Sequence, residues 1–353
     1  MVKKMLEFYR GKRIFVTGHT GFKGTWLSTI LCMAGAEVTG YALPPEGQSL
    51  CAISRLEDRM ESIYGDVADF DRLWSSFERA QPEILFHLAA QPIVREGYRD
   101  PIGTYRTNVM GTVHMLECVR RSDCVRSVVN VTTDKVYENH QWPWGYRETD
   151  RLNGFDPYAN SKSCSELITN SFRNSFFQGR PAAVSTVRAG NVIGGGDFSA
   201  DRIIPDCVRA VLAEEPVRLR NPASIRPYQH VLDPLAAYLL LAQRQSEDTG
   251  LAGCYNVGPD SGGCLTTGDL ADLFCRAWGP PARWETDGPD GPHEDAVLKL
   301  DCAKIRAVLG WRPQWTVEQA VAETVAWTKE WRNGQGPACM ERQISAFFDA
   351  GRQ

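Results

Sequence analysis

A glycine-rich turn near the N-terminus constrains the fold of this chain more than any other stretch. The β-type run 13–17 leads directly into Gly18, and glycines recur at 21 and 24 before a helical pattern over 25–33. A strand, a glycine turn and a helix in immediate succession are the context that a dinucleotide-binding fingerprint requires. The glycines allow a tight turn and a close approach of the backbone to a pyrophosphate, which the N–H groups of the helix N-terminus then bind. The cofactor-binding residues predicted in this turn are Gly18, Thr20, Gly21, Phe22, Lys23 and Gly24.

Strands and helices continue to alternate after this turn. Strand-type runs lie at 37–43, 62–66, 84–88, 127–131 and 183–188, and helical patterns at 69–80, 104–121 and 158–177 separate most of them. This alternation predicts an α/β fold with a Rossmann-type doubly wound parallel sheet. We expect a dinucleotide-binding domain over 1–187 that is completed by about 231–257. We expect 188–230 and 258–353 to form a smaller mixed α/β lobe that binds substrate.

The second strand ends without the usual group that selects the cofactor. Leu43 and two prolines stand there, so neither a carboxylate for the adenosine ribose nor an arginine for a 2′-phosphate is present. This segment alone leaves NAD and NADP open, and NAD is the choice we infer. Asp66 either accepts the adenine amino group or serves as a turn aspartate. The further cofactor-binding candidates are Asp66, Val67, Leu88, Ala89 and Ala90.

Tyr158 and Lys162 lie four residues apart at the start of a helical pattern, so both side chains share one helix face. A cation beside a phenol lowers the pKa of the phenol from about 10, which makes Tyr158 a candidate base. The pair alone is common. It gains weight because the polar residues 132–135 follow a buried strand, and open α/β sheets place their chemistry at such strand ends.

Composition excludes several classes of function. The net charge is −4 without a dense block of Lys and Arg, so nucleic acid and anionic membranes are not expected partners. No apolar run approaches the roughly 18–20 residues that span a bilayer, and charges interrupt the N-terminal apolar residues, so we expect no signal peptide. The eleven cysteines lack CxxC spacing and the six histidines are dispersed. We therefore expect a cytoplasmic protein with reduced thiols and no metal site.

Basic side chains are frequent between residues 202 and 230, where they alternate with polar turn residues. They are Arg202, Arg218, Arg220, Arg226 and His230. Guanidinium groups suit phosphate oxygens, so this segment is a candidate to bind a substrate diphosphate. A solvated basic face explains the same residues, and composition alone slightly favours that simpler interpretation.

Taken together, the motifs resemble the nucleotide-sugar 4,6-dehydratases of the extended short-chain dehydrogenase/reductase superfamily, most closely the branch that acts on CDP-glucose. Two carriers of the likeness, the turn 18–24 and the Tyr158–Lys162 spacing, are generic to the superfamily. The runs 132–137 and 187–197 are far more specific. Further carriers are 86–92 with Arg95, 224–230, and 292–294 with 298–302. The likeness covers nearly the whole chain.

The resemblance implies NAD as cofactor and a nucleotide sugar as substrate, CDP-glucose above others. It implies oxidation of the sugar at C4, loss of water across C5 and C6, and return of the hydride to C6. Tyr158, assisted by Lys162, would remove the proton of the C4 hydroxyl, to which Thr133 would hydrogen-bond. Asp134 would be the acid at the C6 hydroxyl. Lys135 stands where most related dehydratases have Glu, and it is either the base at C5, which we favour, or an enolate stabiliser.

The same resemblance implies substrate contacts and an assembly. The substrate-binding candidates are Gln91, Arg95, Asn191, Arg202, Arg220, Arg226, His230 and His293. The assembly would be a homodimer or homotetramer built on a helix bundle.

Two rival interpretations share the predicted fold. A nucleotide-sugar 4-epimerase would use Tyr158, Lys162 and the same cofactor, but it has no use for an acid and a base at C5 and C6. A catalytically idle NAD-binding regulatory protein would not need Thr133, Tyr158 and Lys162 intact. Loss of water from a nucleotide hexose separates the dehydratase from both.

Overall fold

The computed structural model describes residues 2–288 and 295–350, with side chains from residue 5 onward. The substrate candidate His293 lies outside the described residues. The strands of the described part are β1 Arg13–Thr17, β2 Glu37–Ala42, β3 Glu61–Tyr64, β4 Ile84–His87, β5 Ser127–Thr133, β6 Ala183–Ala189, β7 Asn191–Ile193, β8 Val217–Leu219, β9 Ile225–His230, β10 Cys254–Val257, β11 Cys264–Thr266 and β12 Trp284–Thr286.

The α-helices of the described part connect these strands. They are α1 Val2–Phe8, α2 Phe22–Met33, α3 Leu50–Ser54, α4 Phe70–Ala80, α5 Val94–Arg99, α6 Pro101–Tyr105, α7 Gly111–Arg121, α8 Pro157–Phe176, α9 Ile203–Leu212, α10 Leu232–Glu247, α11 Thr267–Trp278, α12 Ala303–Leu309, α13 Val317–Arg332 and α14 Gly336–Ala350. Within the described ranges no helix is long and apolar enough to cross a bilayer.

A seven-stranded parallel sheet forms the centre of the molecule. Its strand order is β10-β6-β5-β4-β1-β2-β3, and every pairing is parallel. The predicted doubly wound sheet is therefore confirmed, and β10 returns to its edge as expected. Strand β5 extends two residues beyond its predicted end, because Thr132 and Thr133 pair with Arg188 and Ala189 of β6.

Apolar side chains cover both faces of this sheet. On one face Val129 of β5 belongs to a cluster with residues of α2, α10 and α14, and on the other face Val128 packs with residues of α4 and α7. Alternate residues of a strand point to opposite faces, which explains why consecutive valines enter different clusters. A strand that is apolar on both sides is typical of a parallel sheet buried between helix layers.

A third cluster lies beside the sheet. It joins the small sheets β11-β9-β7 and β12-β8 to α9, α11 and α13. Helix α13 contacts both regions, since Val321 lies in this cluster whereas Trp327 lies in the cluster of β1 and α2. Helices α12 and α14 thus belong to the cluster of the central sheet, whereas α13 joins the two clusters, and the division into two domains stays a prediction.

One predicted helix is interrupted. The pattern over 104–121 forms α6, then a π-helical turn at Arg106–Met110, then α7. The wide turn bulges the helix at Asn108, whose side chain makes buried hydrogen bonds. Such turns are rare and only one turn long, so the helical pattern over 104–121 did not predict this one.

The loop that follows β7 is pressed against α13 through glycine. A Cβ added at Gly195 would lie 2.1 Å from Cγ of Trp327, whereas nothing lies within 4 Å of a Cβ added at Gly262. Neither glycine has a positive φ. We expect Gly195→Ala to lower the free energy of unfolding by about 1–3 kcal/mol, because the core must shift. The matched variant Gly262→Ala should stay within about 0.5 kcal/mol of wild type. Urea unfolding measures both, and equal stability of the two variants would contradict the packing described.

Candidate active site

The carboxyl end of β5 carries the predicted catalytic residues. Thr133 is the last residue of the strand, and its hydroxyl donates a hydrogen bond of 3.0 Å to Oδ1 of Asp134. The Lys135 N–H donates to the same hydroxyl oxygen at 3.3 Å and so closes a short 3₁₀ turn over Asp134–Val136. Asp134 is buried, whereas Lys135 is partly exposed. The turn therefore holds the three polar residues together at the edge of the sheet.

Helix α8 brings Tyr158 and Lys162 to the same edge. The Asp156 carboxylate caps the helix by accepting from the Ala159 N–H at 2.9 Å, and Pro157 occupies the first turn, where proline is favourable. The buried ammonium of Lys162 donates to the carbonyl of Val131 in β5 at 3.1 Å. The Thr133 hydroxyl acts on the Tyr158 phenol by lowering its pKa, so the two side chains lie near each other.

Burial is the main influence on the pKa of Asp134. It raises the pKa of this carboxyl, and it outweighs the opposing effects of Lys135, Thr133 and other neighbours. The second carboxyl oxygen, Oδ2, is buried and has no hydrogen-bond partner among the residues that the structure describes. It lies beside Gly190, where an added Cβ would come within 3.1 Å. A carboxyl with a raised pKa and one unsatisfied oxygen is suited to donate a proton to a ligand.

The phenol of Tyr158 does not behave as its spacing from Lys162 predicts. Burial raises its pKa to about 12, and the Thr133 hydroxyl and the charge of Arg202 oppose this rise. Burial also lowers the pKa of Lys162 to about 8, while the charge of Glu166 opposes that change. The expected lowering of the phenol pKa is therefore wrong for this structure, because the loss of hydration exceeds the attraction of neighbouring cations.

The glycine turn reaches this cluster through Lys23. Burial lowers the pKa of Lys23 to about 8, the charges of Arg202 and Lys162 add to this effect, and Asp134 opposes it. Lys23, in the first turn of α2, therefore interacts electrostatically with Asp134, which follows β5, and with Lys162 of α8. The predicted cofactor turn and the predicted catalytic residues thus share one site.

The geometry of the glycine turn suits a pyrophosphate. Gly18 has a φ of +75°, and an added Cβ would lie 2.6 Å from the amide nitrogen of Ala89. A Cβ at Gly24 would lie 2.0 Å from the carbonyl oxygen of Gly18. The exposed Gly21 begins the twelve-residue helix α2 without a side-chain cap. Backbone N–H groups at such a helix start bind anions.

The other cofactor candidates line the same edge of the sheet. The N–H groups of Leu88 and Ala89 donate to Thr17, so the turn after β4 lies beside the turn after β1. Thr20 donates to the carbonyl of Leu43 at 3.0 Å. The remaining candidates Phe22, Val67 and Ala90 are buried or partly buried.

The Asp66 carboxylate already has partners within the chain. It accepts from the Ala68 N–H at 2.9 Å and pairs with Arg106 at 3.3 Å. The turn interpretation of Asp66 is therefore correct, and its contact with adenine stays a prediction.

Three of the predicted substrate arginines converge on one stretch. Arg95 of α5 and Arg220, which follows β8, lie 3.5 Å and 3.7 Å from the Asp201 carboxylate. Arg202 pairs with the largely buried Asp197 at 3.0 Å. A concentration of guanidinium groups from separate elements is typical of a phosphate site.

Arg226 and Asn191 lie at the adjoining strands. The buried guanidinium of Arg226 donates to the carbonyls of Ile225 and Asp295, and its charge acts on Asp134. Asn191 begins β7 opposite Tyr228 of β9 and is partly buried. Arg226 is therefore near enough to act on Asp134, and Asn191 lies on the strand that pairs with the strand of Arg226.

Two substrate candidates are not placed with the others. His230 is fully buried, its ring lies 4.6 Å from Trp315 and 5.8 Å from Trp26, and Nδ1 accepts from the Leu232 N–H. Its predicted contact with a diphosphate is wrong, because α2 and the C-terminal segment enclose the ring. The Gln91 amide is engaged with Thr104 and with the Ile93 N–H, so it holds its own turn.

Sequence reasoning missed Asn108. Its amide nitrogen donates to Ser161 at 2.9 Å and to the carbonyl of Gln91 at 3.1 Å, and its oxygen accepts from the Gln91 N–H. Asn108 thus ties the helix of Tyr158 to the loop after β4. Only the π-helical turn brings it there, and no local pattern marks that turn.

Comparison with known proteins places this site in a family. The family model described as GDP-mannose 4,6 dehydratase matches residues 15–258. The chain is 48% identical over 352 residues to a CDP-glucose 4,6-dehydratase of Salmonella typhimurium, covering 98% of each. The chain belongs to the nucleotide-sugar 4,6-dehydratase family. The resemblance seen in the sequence is therefore confirmed.

More distant relatives carry the same fold. A dTDP-glucose 4,6-dehydratase of Xanthomonas campestris is 27% identical, with 88% of this chain and 92% of that protein covered. The crystal structure of DesIV, a dTDP-glucose 4,6-dehydratase from Streptomyces venezuelae with NAD and TYD bound, superposes with a TM-score of 0.77 at 26% identity, covering 91% of this chain and 98% of that one. A UDP-glucose 4-epimerase from Thermotoga maritima shares the fold with a TM-score of 0.79 at 22% identity, covering 90% and 99%.

The buried carboxyl of Asp134 gives a test that needs no substrate. Its pKa is raised in the folded state above the unfolded value of about 3.9, so the carboxyl increasingly destabilises the fold as the pH rises from about 3.9 to the raised pKa, and the effect is constant above it. Asparagine cannot ionise. We expect Asp134→Asn to gain stability over wild type progressively as the pH rises above about 4, until the raised pKa of Asp134 is passed.

Urea unfolding at several pH values measures this difference. Asp123→Asn is the control, because the Asp123 side chain is fully exposed. A difference between Asp134→Asn and wild type that does not change with pH would contradict the raised pKa.

Proposed function

We propose that this protein converts CDP-D-glucose to CDP-4-dehydro-6-deoxy-D-glucose and water, with NAD as its cofactor. The observation that carries the proposal is the buried, partly unsatisfied carboxyl of Asp134 between Tyr158, Lys135 and the glycine turn. The identity of 48% to the Salmonella typhimurium enzyme supports CDP-glucose as the substrate. The alternatives are another nucleotide-sugar 4,6-dehydratase and a 4-epimerase.

The residues of the glycine turn fit NAD. The uncapped start of α2 and the close approach of Gly18 to Ala89 form a cradle that any side chain would fill. Gly21, Phe22 and Lys23 would bind the pyrophosphate there, and Leu88 and Ala89 would line the nicotinamide side. NAD held there would supply the hydride acceptor for oxidation at C4 and, once reduced, the hydride donor for C6.

Tyr158 and Thr133 act at the C4 hydroxyl of the sugar. The Tyr158 oxygen accepts the hydroxyl proton, and the Thr133 hydroxyl orients the same group. Burial raises the pKa of the phenol to about 12 and so favours the protonated form. The cationic surroundings therefore have to favour the phenolate for Tyr158 to accept a proton. Arg202 already acts in that direction, and Lys162 supplies a second buried cation at the strand end.

Asp134 and Lys135 act on the other side of the sugar. Burial raises the pKa of Asp134 and so favours its protonated form, which donates its proton to the C6 hydroxyl as water leaves. Lys135 removes the proton at C5, which the C4 ketone acidifies. A 4-epimerase has no step that needs this pair, so Asp134 and Lys135 favour the dehydratase.

The arginines would bind the nucleotide diphosphate. Arg95, Arg202 and Arg220 already converge on the carboxylates of Asp197 and Asp201, which a diphosphate would compete with. Arg226 and Asn191 would extend the site towards the sugar. His293 keeps its proposed substrate contact.

We propose a homodimer or homotetramer in the cytoplasm. Ile102 of α6 is 80% exposed and Leu167 of α8 is 56% exposed, on helices that contact each other. Exposed apolar residues on adjacent helices favour a helix-bundle interface between subunits. All eleven cysteines have free thiols, as expected in a reducing compartment.

Substrate turnover tests the proposal. The purified protein with NAD is incubated separately with CDP-, dTDP-, UDP- and GDP-glucose, and the products are weighed by mass spectrometry. We expect loss of one water from CDP-glucose at the highest rate. An unchanged mass together with a changed sugar configuration would instead establish an epimerase.

Lys135→Ala tests the base. We expect product formation to slow by about 10²–10⁴-fold while oxidation at C4 continues, so the near-ultraviolet absorbance of reduced nicotinamide accumulates during turnover. Lys329→Ala is the control, because Lys329 contacts the carbonyl of Trp278 at the protein surface. Rapid product formation without such accumulation would remove Lys135 from this role.

A further inference from the structure

A buried ion pair lies directly behind the catalytic strand end. Glu166 of α8 and Arg188 of β6 are 2.9 Å apart, and only 3% of each side chain is exposed. The desolvation of two such charges is unfavourable, so a buried pair is weak evidence for stability by itself. The hydrogen bonds of the Glu166–Arg188 pair indicate a role other than stability.

The Glu166 carboxylate joins α8 to the end of β5. Its Oε1 atom accepts from the Thr132 hydroxyl at 2.5 Å, and its Oε2 atom accepts from Arg188 and from the Thr186 hydroxyl at 2.6 Å. Thr132 immediately precedes Thr133, and Glu166 lies one helical turn beyond Lys162. One carboxylate therefore connects the helix of Tyr158 and Lys162 to the strand of Thr133.

Arg188 holds the other end of the catalytic turn. Its Nη1 atom donates to the Tyr137 hydroxyl at 2.7 Å and to the carbonyl of Glu148 at 3.1 Å, and its guanidinium lies 5.0 Å from the Tyr137 ring centre. The Tyr137 hydroxyl in turn donates to Asn256 of β10 at 2.6 Å. Tyr137 directly follows the turn Asp134–Val136.

We propose that Glu166 is a positioning residue for the dehydratase reaction. With Arg188 it clamps the segment 132–137 at both ends and so fixes Thr133 and Asp134 against the helix turn that carries Tyr158 and Lys162. This inference rests on the proposed function. Catalytic groups displaced by about 1 Å lose on the order of 10²-fold in rate, which is the kind of loss that the clamp prevents.

The same carboxylate also acts on the charge of Lys162. Glu166 raises the pKa of this lysine against the effect of burial. The charged or titratable groups on other elements that act with Lys162 are Lys23 of α2 and His87 of β4, and β5 presents the carbonyl of Val131. Glu166 is the acidic group of this set, and burial lowers the pKa of His87 to about 3.

Two buried threonines give a matched test of positioning. Thr132→Val removes the bond from β5 to Glu166. Thr169→Val removes a comparable bond from β5 to α8, in which Asn130 donates to the Thr169 hydroxyl at 2.9 Å without contact to Glu166. We expect Thr132→Val to lower kcat at least about tenfold with KM within about twofold, and Thr169→Val to keep kcat within about twofold. Urea unfolding checks that both variants lose similar stability.

Glu166→Gln provides a readout that a merely structural role would not move. Loss of the carboxylate charge lowers the pKa of Lys162, so the alkaline limb of the kcat profile should shift to lower pH. Thr132→Val keeps that charge and should leave the limb in place.

The outcomes are distinct. Equal losses of kcat in Thr132→Val and Thr169→Val, or an unmoved alkaline limb in Glu166→Gln, would overturn the positioning role while turnover by wild type upholds the proposed function. The rates are measured with whichever nucleotide hexose the wild type dehydrates. Absence of turnover with every hexose would overturn the proposed function and this inference with it.

Discussion

The full burial of β5 between β4 and β6 is the constraint on which the site depends. All seven residues of the strand are buried, and its backbone pairs along both edges. A strand in this position cannot shift its register without moving its neighbours, so the residues at its end have fixed positions. Polar groups carried there leave water and must find partners or change protonation. Lys162 donates to the carbonyl of Val131 and has a lowered pKa, and Asp134 has a raised pKa.

Desolvation dominates the electrostatics of this cluster. It raises the pKa values of Asp134 and Tyr158 and lowers those of Lys23 and Lys162, in each case against at least one favourable charge nearby. All four groups are thereby shifted towards their neutral forms. A site with such groups transfers protons at neutral pH more readily than one with fully ionised side chains. The Glu166–Arg188 pair behind it keeps its charges through mutual attraction and hydrogen bonds.

Much of the fold followed from local sequence patterns. The strand at 13–17, the glycine turn and the alternation of short apolar runs with helical patterns sufficed to predict the parallel sheet, including the return of β10. The placement of Asp134 followed from its position just after a buried strand. Each of these inferences used residues that are neighbours in the sequence, so no knowledge of tertiary packing was needed.

The features that escaped prediction depend on contacts between distant elements. The basic residues between 202 and 230 suggested a phosphate contact for His230. Trp26 and Trp315, from distant parts of the chain, instead enclose its ring. Asn108 reaches the site through a π-helical turn, which the helical pattern over 104–121 did not predict. The pKa of Tyr158 reflects burial by the whole site, whereas the Tyr-Lys spacing describes only one neighbour.

Isotope transfer tests the central claim most directly, namely that oxidation at C4 and elimination across C5 and C6 occur on one sugar in one site. CDP-glucose that carries deuterium at C4 is converted in ordinary water, and unlabelled CDP-glucose is converted in heavy water. The account predicts that the C4 deuterium appears at C6 of the product in the first case and that solvent deuterium appears at C5 in the second. Retention of the label at C4, or a product without solvent deuterium at C5, would contradict it.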